Sequence, residues 1–128
     1  LGCLSVSHAA FGGIGDRYDC DTEANMAYRD GSLRDLKPEQ FNFFWTEKSA
    51  VFGEGGMFED FSIPIREDFS NMPVRRWDQF FASDDYSHLS YDRGRFRFSM
   101  VSLLPNASIE PGTGEIRFVI ANCSKSNE

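Results

Sequence analysis

The chain has 128 residues, enough for one domain with its own core. With 41% hydrophobic residues and 13 Phe it is not a disordered segment. Its net charge of −7 argues against nucleic acid or an anionic membrane as partner, and leaves room for a basic protein partner.

Residues Leu1 to Ala9 are small and apolar, and read as the tail of an export segment occupying 1–9, ahead of a single globular domain over 10–128. Ser7-His8-Ala9 fits signal cleavage after Ala9, whereas Leu1-Gly2-Cys3 fits a lipidated Cys3, the one route to a membrane. No stretch reaches the ~20 apolar residues that span a bilayer as a helix. With Cys3 set aside, Cys20 and Cys123 remain, either as two thiols or, in an oxidising compartment, as a disulfide; export favours the disulfide.

Asp16 to Glu23 carries four carboxylates in eight residues and reads as a solvated acidic turn, because it lacks the order and central Gly of a calcium loop. Ala24 to Tyr28 fits a short helix or a strand, and Asp30-Gly31 a tight turn. Phe41, Phe43 and Trp45 alternate as a strand, with Val51-Phe52 continuing the pattern or opening another. Gly53-Glu54-Gly55-Gly56 predicts a projecting loop. Phe61, Ile63 and Ile65 predict a strand, placed at a sheet edge because Pro64 has no N–H for a ladder.

Ser70 or Asn71 as N-cap, Pro73 in the first turn, and Val74, Trp77, Phe80 and Phe81 on one stripe predict an amphipathic helix to about Ala82 that buries Trp77 and Phe81. Ser83 to Ser87 is an acidic loop. Leu89 and Tyr91 lead through Arg93-Gly94 into the clearest strand, where Phe96, Phe98 and Met100 share one parity and Arg95 and Arg97 the other. Ile116, Phe118 and Ile120 alternate in a last strand that delivers Cys123. The expected fold class is α+β: a mainly antiparallel sheet with one amphipathic helix on one face.

Catalytic chemistry finds little support. There is no Gly-x-Ser-x-Gly, and His88 is the one histidine beyond the export segment, so neither a triad nor a zinc site assembles. No cofactor or metal is implied. Paired carboxylates of the glycosidase kind, drawn from Glu54, Glu59, Glu110 and Glu115, stay open, since the separation that decides them is spatial. So does a polysaccharide-binding surface built on Trp45, Trp77 or Tyr86.

The export tail Leu1-Gly2-Cys3-Leu4-Ser5-Val6-Ser7-His8-Ala9, the acidic loops and the overall character of the chain carry a resemblance. The chain resembles the periplasmic immunity proteins of Gram-negative type VI secretion pairs, in particular the Pseudomonas-like kind that neutralises a secreted muramidase. That resemblance implies a non-enzymatic protein that binds the groove of a cognate muramidase toxin and excludes peptidoglycan. The contact residues expected on the acidic loops are Glu54, Gly55, Phe58, Glu59, Asp84, Asp85, Tyr86 and Glu110, with Phe58 and Tyr86 as aromatic anchors.

Overall fold

The structure is a computed structural model that describes residues 14–29, 31–70, 77–102 and 115–126. Nine strands form in these residues: β1 (Arg17–Arg29), β2 (Ser32–Asp35), β3 (Gln40–Trp45), β4 (Ser49–Phe52), β5 (Ser62–Asp68), β6 (Gln79–Ser83), β7 (Ser87–Asp92), β8 (Arg95–Ser102) and β9 (Glu115–Lys125). From β3 to β9 each strand pairs antiparallel with the next, and β1 pairs with both β3 and β9. The result is a closed, eight-stranded, up-and-down barrel, with β2 hydrogen-bonded outside the ring to the upper half of β1.

The fold is therefore all-β, and the α+β expectation is corrected. No helix forms among the described residues, and Gln79–Ser83, the latter part of the expected helix, is strand β6. Residues 71–76, which would have started that helix, lie outside the described residues. Phe80 and Ala82 point into the barrel, while Phe81 faces outward against Phe69 in an edge-on contact. Trp77 is half-buried beneath the Arg93 guanidinium, 4.4 Å from the ring centroid, and does not pack on a sheet face through a helix. The apolar stripe at helical spacing was produced by an aromatic doublet; the alternation that counts is Phe80 and Ala82.

Aromatic residues fill the barrel. Trp45, Phe43, Phe80, Phe96, Tyr18 and Tyr91 are almost wholly buried. One layer stacks Tyr18 on Phe43 at 5.1 Å and sets Trp45 against Phe80 at 4.6 Å. A second joins Phe41 to Phe96 at 4.8 Å and Phe58 to Phe98 at 4.8 Å. Tilted and edge-on pairs of this kind add to the burial of their area and close the interior of an eight-stranded ring. Burial, helped by the Asp78 carboxylate, pushes the Tyr91 hydroxyl pKa well up, so this residue stays a neutral member of the core.

Rings from the lower part of β1 and from β3, β4, β6, β7 and β8 take up the interior, and the upper part of β1 and β9 contribute small groups to it: Ala27, Val119 and Ala121. Ile116, Phe118 and Ile120 lie on the outer face, with Phe118 43% exposed.

Two local expectations also change. Asp16 to Glu23 is not a turn: from Arg17 onward it is the start of β1, whose Asp19, Asp21 and Glu23 point to solvent. A bulge between Thr22 and Ala24 then shifts the register, which carries the inward set from Tyr18 and Cys20 to Asn25 and Ala27. Strand β5 is not an edge: it pairs with β4 through Ser62–Pro64 and with β6 from Ile65 onward. The Ile65 amide donates toward β4, to Lys48 O at 2.8 Å. Pro64 therefore turns its missing donor toward β6 just where that ladder has not yet begun.

Other expectations hold. The Phe41, Phe43, Trp45 alternation faces inward, Leu89 and Tyr91 are buried on β7, and Phe96 and Phe98 on β8. The β7–β8 connection is the tight turn expected, with Arg93 at φ 46° and Gly94 at φ 99°. Cys20 and Cys123 sit directly opposite one another on β1 and β9, with Cα atoms 4.0 Å apart, and are bonded. The disulfide thus crosses the seam at which the ring closes.

Candidate functional site

Up-and-down topology sorts the connections by end. The β4–β5 and β6–β7 connections fall at the same end of the barrel, here called the upper rim. The upper end of β8 and the start of β9 reach the same rim, so the connection between them leaves and returns there. Glu110, within that connection, lies outside the described residues.

The β4–β5 loop does not project. The Gly53 amide donates to Asn42 O at 3.1 Å, and Gly56 lies so close to β3 that a Cβ there would be 2.5 Å from Gln40 O. The loop folds back over the barrel mouth and inserts Phe58, 8% exposed, among Phe41, Phe52, Phe61, Phe96 and Phe98. Phe58 therefore serves as a plug of the core, not as an exposed anchor. Glu54, Gly55 and Glu59 remain exposed on the outside of this loop, and the Glu59 carboxylate accepts the Gly55 amide at 3.0 Å.

The β6–β7 loop is a compact turn. Asp84 Oδ1 accepts the Tyr86 and Ser87 amides at 2.9 and 2.8 Å, so one oxygen of its carboxylate holds the backbone of the turn. Tyr86 O accepts the Val101 amide at 3.0 Å, tying the turn to β8. Asp85 is exposed, and the Tyr86 side chain is 53% exposed on a backbone held at both sides.

Beside the plug a recess of about 270 Å³ opens at the upper rim, lined by Met57, Phe58, Glu59, Phe61, Phe98, Met100, Arg117 and Val119. Arg117, on β9, takes the inward parity of Val119 and Ala121. Its Nη2 donates to Asn25 Oδ1 at 3.1 Å, while buried Asn25 donates from Nδ2 to Lys37 O at 2.9 Å. Arg117 Nε is buried and has no hydrogen-bond partner. No ion pair involves Arg117 among the described residues. Sequence reasoning missed Arg117, Asn25, Met57 and Met100. The signal was an arginine within an apolar strand, hidden because the alternation of Ile116, Phe118 and Ile120 was the feature that defined the strand.

The alternatives that rested on stacking or paired carboxylates lose members. Trp45 is fully buried, with Nε1 donating to Asp68 Oδ2 at 2.8 Å, and Trp77 is covered by Arg93. Glu115 is bonded to Arg29 at 3.0 Å. Among the described residues no cluster of three His, Cys, Asp or Glu is arranged to hold a metal. No helix among them is long and apolar enough to cross a membrane. No protein-family model matches the chain, and no curated protein or solved structure matches it either.

Proposed function

We propose that the chain is a periplasmic immunity protein whose upper rim enters and blocks the active-site groove of a cognate peptidoglycan-degrading muramidase toxin. The observation that carries the binding half of this reading is the clustering of the candidate loops. Exposed Glu54, Glu59, Asp85 and Tyr86 stand at one end of a barrel whose aromatic filling and closing disulfide make it a rigid base. Loops set on a rigid scaffold bind with little ordering cost, and exposed carboxylates steer association toward a cationic cleft. The class of partner rests on the resemblance carried by the export tail and the acidic loops. The disulfide fits an oxidising compartment, which the periplasm is.

The test measures affinity for the toxin encoded beside this gene, using Glu54→Ala, Asp85→Ala and Tyr86→Ala, each first shown to melt like the parent. Tyr86, as the exposed aromatic on a fixed backbone, should weaken binding by about 2 kcal/mol or more, while the carboxylates mainly slow association. Parent-like binding by all three removes the rim as the interface. Cleavage of purified peptidoglycan by the protein alone would overturn the occlusion reading and favour a glycan hydrolase.

A further inference from the structure

We infer that the recess at the upper rim is a binding site for a small apolar molecule bearing one carboxylate, its tail against Phe61, Phe98 and Val119 and its head on Arg117. Three features meet there. The walls are apolar except for Glu59 and Arg117, and the Glu59 carboxylate is already engaged by the Gly55 amide. Arg117 is aligned by Asn25, which is itself fixed by Lys37 O, and this leaves a buried N–H at Nε without an acceptor. A buried Nε–H without an acceptor is costly, and a carboxylate entering beside the half-buried guanidinium supplies both the missing acceptor and the opposite charge.

The volume sets the size of the molecule. A recess of about 270 Å³ corresponds to roughly nine waters at ~30 Å³ each, the bulk of a medium-length chain of eight or so carbons. The flexible side chains of Met57 and Met100 on the lining suit an occupant of variable shape. The wider interior, filled by rings, offers no room for a longer tail. This inference does not depend on a protein partner, and it is tested on the free protein.

The probes are octanoate, 1-octanol and acetate, titrated into the wild-type protein while the Arg117 Nε–H resonance is followed by NMR. Octanoate should shift that resonance and bind at least ~10-fold more tightly than octanol or acetate, the discrimination expected of a charge-assisted bond. Arg117→Met, which keeps the length and removes the charge, should bring octanoate down to the affinity of octanol. Should that variant fail to fold, the wild-type titration decides alone. Equal shifts from acetate and octanoate, equal affinity for octanol and octanoate, or no shift at millimolar octanoate would each overturn the proposal.

Discussion

Glu23 and Arg95 are joined across an intervening strand. Glu23 sits at the bulge of β1, Arg95 opens β8, and β9 runs between them. The carboxylate takes Arg95 Nη1 at 2.9 Å and Nη2 at 2.8 Å, while Asn122 on β9 accepts from Nη1 at 3.0 Å. The bulge aims Glu23 along the outer face, so that the two ends of the ring, β1 and β9, are clamped to β8 together.

This clamp gives a pH dependence with a definite sign. The Arg95 hydrogen bond, then Asn122, holds the Glu23 carboxyl below its ordinary value of 4.5. A depressed carboxylate stabilises the fold above the unfolded value and loses that contribution as pH falls through the folded one. Between pH 7 and about 5 the parent and Glu23→Gln should therefore show parallel stability. Below about 4.5 the parent should lose more than the variant does, read by urea midpoints across that range. Equal acid sensitivity would mean that solvent screens the pair fully.

The disulfide yields the second expectation. Unreduced protein should be two hydrogens lighter by mass than reduced protein, and Cys20→Ser with Cys123→Ser should lower stability by about 2–5 kcal/mol. Two alkylatable thiols in material from an oxidising compartment would contradict the pairing.

Trp45 and Asp68 form the polar contact at the lower end of the core. Asp68 Oδ2 accepts the indole N–H, and Oδ1 accepts the Ser70 amide and hydroxyl at 2.8 and 2.6 Å. Trp45→Phe should cost about 1–3 kcal/mol for the orphaned acceptor alone, beyond any loss of packing. A double-mutant cycle with Asp68→Ala isolates that part; a coupling within experimental error would show that the bond contributes nothing.

Gly55 and Gly56 should respond differently to alanine. Both have positive φ, 80° and 89°, but nothing lies within 4 Å of a Cβ at Gly55, whereas one at Gly56 meets the Gln40 carbonyl and Phe41. Gly55→Ala should cost the ~1–2 kcal/mol of a left-handed non-glycine. Gly56→Ala should cost ~1 kcal/mol or more beyond that, because backbone must move. Equal costs would mean that the loop stands off β3.

How far the sequence revealed this fold follows from which contacts are local. The alternations at Phe41, Phe43 and Trp45 and at Phe96 and Phe98 name their strands and their buried faces correctly, because a pleated strand exposes its period within five residues. Strand β6 escaped because Phe80 and Phe81 are adjacent, so one ring faces the core and the other Phe69, and no alternation is visible. The facing of β9 escaped because its inner residues are Arg117, Val119 and Ala121, small or charged where other strands bring rings. Of the closure, only the proximity of Cys20 to Cys123 was legible, because a disulfide requires its two residues to lie close together and does not say that they sit on paired strands. The rim loops were identified as loops, but their gathering at one end follows from topology, which no single stretch encodes.

The ends of the described barrel meet at its lower side. The Ser126 amide donates to Arg17 O at 2.8 Å, and Lys125 reaches Asp16 at 3.7 Å. A circular permutant joining Ser126 to Ile14 through a short linker, and opened within 46–48 between β3 and β4, would keep every strand pairing. It would turn β9 and β1 into a simple hairpin. The same disulfide would then close about 15 residues in place of about 100, and its contribution should fall from ~4.7 to ~3 kcal/mol. The native order of strands thus gives this one covalent bond more leverage over the unfolded chain than the identical barrel, cut elsewhere, would allow.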